Sequence, residues 1–187
     1  MKCGLNRSVP DKVSALFEWD RRRLKCEYAR CNLPIWSSVS GEYRGALLAQ
    51  DGPFAQWATT VAFSLYGEWL GKGFVTGTVA PGKGYNIFPG SAGGGTHQKL
   101  RMDIDVARSE WDDQDCIQID YRRHNLGPIR LLRGEFRELE PGILLGLGFF
   151  GPTLFGYRRL RRIIPFVMWG PFDRSGSSSF DGLRRVA

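Results

Sequence analysis

Gly41-Glu42-Tyr43-Arg44-Gly45, Gly67-Glu68-Trp69-Leu70-Gly71 and Gly134-Glu135-Phe136-Arg137-Glu138 repeat one short pattern three times in this chain. Alternating charged and apolar residues suit a strand with one wet and one buried face. The glycines permit close backbone approach or a bulge. The pattern predicts a curved, mainly antiparallel sheet. It places Tyr43, Trp69 and Phe136, with Gly45, Gly71 and Gly134, on one face. The opposite face then carries Glu42, Arg44, Glu68, Lys72, Arg133, Glu135 and Arg137.

Outward from these stretches, strands are expected at Glu42 to Ala49, Glu68 to Thr76, Tyr85 to Phe88, Leu100 to Ala107, Cys116 to Arg122, Ile129 to Leu139 and Ile143 to Phe150. Phe155 to Leu160 is read as the closing strand. Turn signals separate them at Gly82-Lys83-Gly84, Glu110 to Asp115 and Glu140-Pro141-Gly142. A short helix is expected near residues 54–65, where Ala, Gln and apolar residues are spaced for one. An N-terminal helix is expected between Asp11 and Ala29. Six to eight short strands with one inserted helix fit an antiparallel barrel, which removes exposed edges. The division is a basic extension over residues 1–38, a β-barrel domain over 39–169 and a disordered tail over 170–187.

With 187 residues and 42% hydrophobic side chains, the chain is long enough to bury a core. Its formal charge of +7 sits at the ends. Residues 1–30 carry eight basic and four acidic residues, and residues 157–187 carry seven and two. The stretch between them is slightly acidic, which disfavours a nucleic-acid groove across the sheet. Cys3, Cys26, Cys31 and Cys116 form neither a CxxC pair nor a dense disulfide scaffold. Together with an N-terminus lacking an apolar h-region, they suggest a cytoplasmic protein. Ile143 to Tyr157 is the most apolar segment, but it is short for a membrane helix and interrupted by glycine and proline.

The chain resembles the G-x-W-x-G family. Gly41-Glu42-Tyr43-Arg44-Gly45 is similar to the family's opening strand, with Tyr43 in the tryptophan position, and Trp69-Leu70-Gly71-Lys72-Gly73-Phe74 to its W-x-G-K-x-F strand. Asp120-Tyr121, Phe136-Arg137 and Leu144-Leu145-Gly146 are similar to pieces of the companion C-terminal region. The resemblance spans about residues 40–150 and implies a small lipocalin-like, or calycin-like, barrel. The family has no settled chemistry, so the resemblance implies no reaction and no cofactor.

Two uses of such a barrel stay open on the residues. Large aromatics beside glycines can leave an interior pocket for a small, largely apolar ligand, lined by Tyr43, Trp69, Tyr121 and Phe136. Alternatively, Asp120, Tyr121, His124 and Glu135 form a proton-transfer site for isomerase, hydratase or lyase chemistry. The glycines also suit bulges in a filled barrel, and the charged face suits a solvated ladder of ion pairs. His97 and His124 are the only histidines, and they lack the neighbours a zinc site needs. A third reading docks the basic ends on an acidic partner or membrane surface, through Arg158, Arg159, Arg161 and Arg162 beside Ile163 to Trp169.

Overall fold

A computed structural model describes residues 9–49, 67–90, 95–150 and 162–172. Two helices, α1 (Asp11–Leu16) and α2 (Arg21–Tyr28), precede eight strands. These are β1 (Gly41–Leu47), β2 (Gly71–Val75), β3 (Gly82–Pro89), β4 (Thr96–Arg108), β5 (Asp115–Asp120), β6 (Leu132–Glu140), β7 (Ile143–Phe150) and β8 (Arg162–Phe172). They form a closed antiparallel barrel in chain order, with β8 returning to β1. The expected mainly β, lipocalin-like barrel is therefore the architecture of this chain.

Local chemistry explains several joints. The β6–β7 hairpin turns on Pro141-Gly142, with Gly142 at φ 79°. Proline presets the first turn position, and glycine supplies the positive φ at the second. Asp20 caps α2 by accepting the Arg23 amide at 2.6 Å.

The barrel separates two apolar cores. The interior holds Tyr43, Phe74, Met102, Ile119, Phe136 and Phe166, among others. Phe74 stacks on Phe136 with centroids 5.1 Å apart, and Tyr43 tilts against Phe74 at 5.8 Å. A second core lies outside the barrel wall, where Leu145, Leu147, Val167 and Trp169 meet Val13, Leu16, Leu24 and Tyr28 of the helices. This explains the run Ile143 to Phe150, since a strand covered on both faces loses its alternation.

Three expectations change. The N-terminal segment supplies two helices that roof β7 and β8, and Asn32 bridges to Glu138, so residues 9–38 pack against the barrel. Phe155 to Leu160 lies outside the described residues, and the strand that closes the barrel is β8, paired with both β7 and β1. Ile163 to Trp169 is thus barrel wall. The expected helix near residues 54–65 and the tail beyond Phe172 also lie outside the described residues.

The third repeat lies within β6, but the second reaches its strand only at Gly71. Gly71 has φ 150°, and a Cβ there would overlap the Tyr43 carbonyl oxygen of β1. Trp69 points into the barrel before this residue. After it, Lys72 and Phe74 point in. The kink resets the alternation, and Lys72 lies inside rather than on the charged outer face.

Gly71→Ala should therefore cost at least ~3 kcal/mol of unfolding free energy, combining backbone strain with a forced separation of β1 and β2. Gly95→Ala is the control, because Gly95 shares a positive φ of 92° but has none of the described residues within 4 Å of the place an added methyl group would occupy. It should cost only about 1 kcal/mol. Urea denaturation of both variants checks the difference.

Candidate functional site

Inside the barrel, Lys72 of β2 lies beside Asn86 of β3 and Tyr121, which follows β5. The register pairs Lys72 directly with Asn86. The lysine Nζ donates to Asn86 Oδ1 at 2.6 Å and to the Tyr121 hydroxyl oxygen at 2.5 Å. Trp69 Nε1 donates to Asn86 Oδ1 at 3.1 Å, and Asn86 Nδ2 donates to the Tyr121 oxygen at 3.2 Å. The Trp69, Tyr121 and Phe166 rings surround the amine at 5.1, 5.3 and 5.8 Å from their centroids.

Glycines make room for these rings. Trp69 lies over Gly45, where an added Cβ would come 2.5 Å from the indole. Phe166 lies over Gly146 in the same way and meets Trp69 edge to face at 6.1 Å.

The electrostatics follow from burial. Lys72, Asn86 and Tyr121 are all at most 5% exposed. Among the described residues no carboxylate pairs with the Lys72 amine, and its surroundings are neutral. Desolvation alone lowers its pKa from 10.5 to about 7. Burial pushes the Tyr121 phenol above its ordinary value, so it stays protonated near neutrality. The cluster therefore holds an amine whose charged form burial disfavours against a phenol that can give or take a hydrogen bond.

The cluster has a definite place along the barrel. Three connections meet at one end, joining β2 to β3, β4 to β5 and β6 to β7. Trp69, just before β2, and Tyr121, just after β5, lie at the opposite end. The Tyr43–Phe74–Phe136 group fills the interior nearer the chain's entry into β1. Of the four expected pocket residues, all are buried in the interior core, but Trp69 and Tyr121 touch the polar cluster whereas Tyr43 and Phe136 belong to the aromatic filling.

The expected proton-transfer quartet does not converge. Asp120 is held by Arg122, with Nη2 to Oδ2 at 2.6 Å, on the outer side of the wall. His124 Nε2 lies 2.8 Å from Asp103 Oδ1 in a partly exposed position. Tyr121 faces inward. Glu135 faces the other way, beneath the β4–β5 turn, where Ser109 Oγ donates to it at 2.6 Å and the Glu110 amide at 2.8 Å. Strand alternation alone separates Asp120 from Tyr121.

The charged-face reading also changes. Glu42 does lie on the outside, accepting from Tyr85 at 2.8 Å. Glu135 and Arg137 are each 1% exposed, so this part of the face is no solvated ladder. Arg137 binds Asp112 through two bonds of 2.7 and 2.6 Å, donates to the Asp115 carbonyl at 2.9 Å, and stacks 4.5 Å over Tyr28. Strict alternation places this lysine outside. The signal that could have found it is Gly71 between Trp69 and Lys72, the one glycine in that repeat able to shift the phase.

Among the described residues, no group of three or more His, Cys, Asp or Glu could hold a metal ion, and no helix is long and apolar enough to cross a membrane. Arg158, Arg159 and Arg161 lie outside the described residues. No protein-family model and no curated protein matches the chain. A crystal structure of a protein from Thermomonospora curvata superposes with a TM-score of 0.55 at 13% identity, covering 85% of this chain and 95% of that one. At that identity the likeness shows the fold alone.

Two pH slopes are expected. Burial raises the Glu135 pKa from 4.5 to about 7, so its contribution to stability is full below 4.5 and is lost as pH rises through about 7. Glu135→Gln should flatten the stability curve in that window. The Lys72 pKa is depressed, so its contribution is full above 10.5 and is lost as pH falls through about 7. Lys72→Met should remove that second slope, worth a few kcal/mol. Denaturant midpoints measured across both windows check the two signs.

Proposed function

We propose that the barrel binds a small, largely apolar molecule carrying one hydrogen-bonding oxygen, which sits against Lys72, Asn86 and Tyr121. The observation that carries this reading is a buried lysine, amide and phenol inside an otherwise apolar barrel. Burying an amine without a counter-charge is costly, and an apolar side chain at position 72 would fill a core more cheaply. A ligand oxygen accepting from the amine or phenol gives that arrangement a use, while the Trp69 and Phe166 rings supply apolar walls.

The eight-stranded barrel is compatible with this use, since barrels of this size hold side chains or one small ligand. Proton-transfer catalysis by Asp120, Tyr121, His124 and Glu135 loses its basis, because their polar groups lie on different sides of the wall. A cytoplasmic setting fits the unpaired thiols of Cys26, Cys31 and Cys116. Likeness to the G-x-W-x-G family remains part of this proposal, carried by Tyr43, Trp69 and Lys72 in the interior.

Trp69 touches the proposed ligand position, so titration with alcohols from benzyl alcohol to decanol should change tryptophan fluorescence saturably. Trp69→Phe should remove most of that change. Lys72→Met should weaken decanol binding about tenfold, the loss of one charged or strongly polar hydrogen bond. No saturable response to any alcohol in the series would overturn the reading.

A further inference from the structure

We propose that Lys72 captures a small apolar aldehyde as a hydrolysable imine inside the barrel, with Tyr121 as its proton-transfer partner. The proposal rests on the binding reading above and adds a covalent step to it.

Geometry supplies the parts. Among the described residues the amine hydrogen-bonds to an amide oxygen and a phenol oxygen and to no other group. Neither partner holds it as an ammonium ion in the way a carboxylate would. Asn86 is itself fixed by Trp69, so the amine is held at a defined place on the inner wall. Three aromatic rings within 5.8 Å keep the surroundings apolar, which favours the neutral amine and slows hydrolysis of an imine. The lowered pKa of about 7 agrees with this, because a large fraction of the amine then carries a free lone pair near neutrality.

The step balances without an added oxidant or reductant. The Nζ lone pair attacks the carbonyl carbon, and a C–N bond forms as the carbonyl π bond opens onto oxygen. The Tyr121 hydroxyl, 2.5 Å from Nζ, protonates that oxygen and recovers a proton from the amine. Loss of the resulting hydroxyl as water, which takes the second amine proton, leaves a C=N bond. The net change is aldehyde plus amine to imine plus water, and the reverse step releases the aldehyde. An aldehyde suits the site better than a carboxylate, because a carboxylate needs the ammonium form that this environment disfavours.

The experiment uses the full chain with decanal, decanol as its unreactive counterpart, and cyanoborohydride to trap any imine. With one equivalent of decanal, one adduct equal to the aldehyde less one oxygen should form and map to Lys72 rather than to exposed Lys83, whose side chain is 74% accessible. Its rate should rise as pH increases through about 7. Lys72→Arg should lose the adduct, and Tyr121→Phe should slow trapping at least about tenfold more than it weakens decanol binding. Saturable decanol binding with label absent from Lys72, or spread over exposed lysines, overturns imine capture and leaves the binding reading standing. If decanol and decanal both leave tryptophan fluorescence unchanged and Lys72 unlabelled, the binding reading fails and imine capture fails with it.

Discussion

The approach of β2 to β1 at Gly71 governs where the chemistry of this barrel sits. A side chain there would strike the Tyr43 carbonyl, and the backbone adopts φ 150°, a value that glycine tolerates and other residues resist. Because side chains alternate with a period of two, a local irregularity of this kind exchanges inside for outside in everything that follows. Trp69 enters the barrel before it and Lys72 after it. The same four-residue stretch therefore delivers both the indole that binds Asn86 and the amine that binds Asn86 and Tyr121.

Two buried polar groups on opposite sides of the wall answer the burial problem differently. Arg137 brings a bidentate carboxylate, two backbone carbonyls and an aromatic face, so its charge is matched beneath the helices and the β4–β5 turn. That assembly fastens α2 to the barrel and has the marks of a structural clamp. Lys72 has only neutral partners among the described residues. The contrast sets the interior cluster apart, since a buried amine with no counter-charge among the described residues is expensive for a residue that only fills space.

The distribution of aromatics gives the barrel two unlike halves. Tyr43, Phe74 and Phe136 fill one part by stacking. Trp69 and Phe166 instead lean over glycines at 45 and 146 and frame the lysine. Gly45 and Gly146 thus serve ring placement, while Gly71 bends its strand. Gly45 is the clearest case, because any larger residue would displace the indole that orients Asn86.

Local pattern was sufficient for the mainly β architecture, for seven of the strands and for grouping Tyr43, Trp69 and Phe136 on one face, but which face turns inward followed only from closure of the barrel. Two-residue alternation and turn chemistry act over short distances and can be read along the chain. The pattern was silent on what required distant contacts. Whether Glu135 and Arg137 meet water depended on helices more than a hundred residues earlier in the chain, and the direction of Lys72 depended on how closely a neighbouring strand approaches Gly71. Sequence alone determined that this chain would curve a sheet with aromatics and glycines sharing one face. Only the tertiary structure decided that a lysine would lie among them, because a glycine's conformation is set by the strand it packs against.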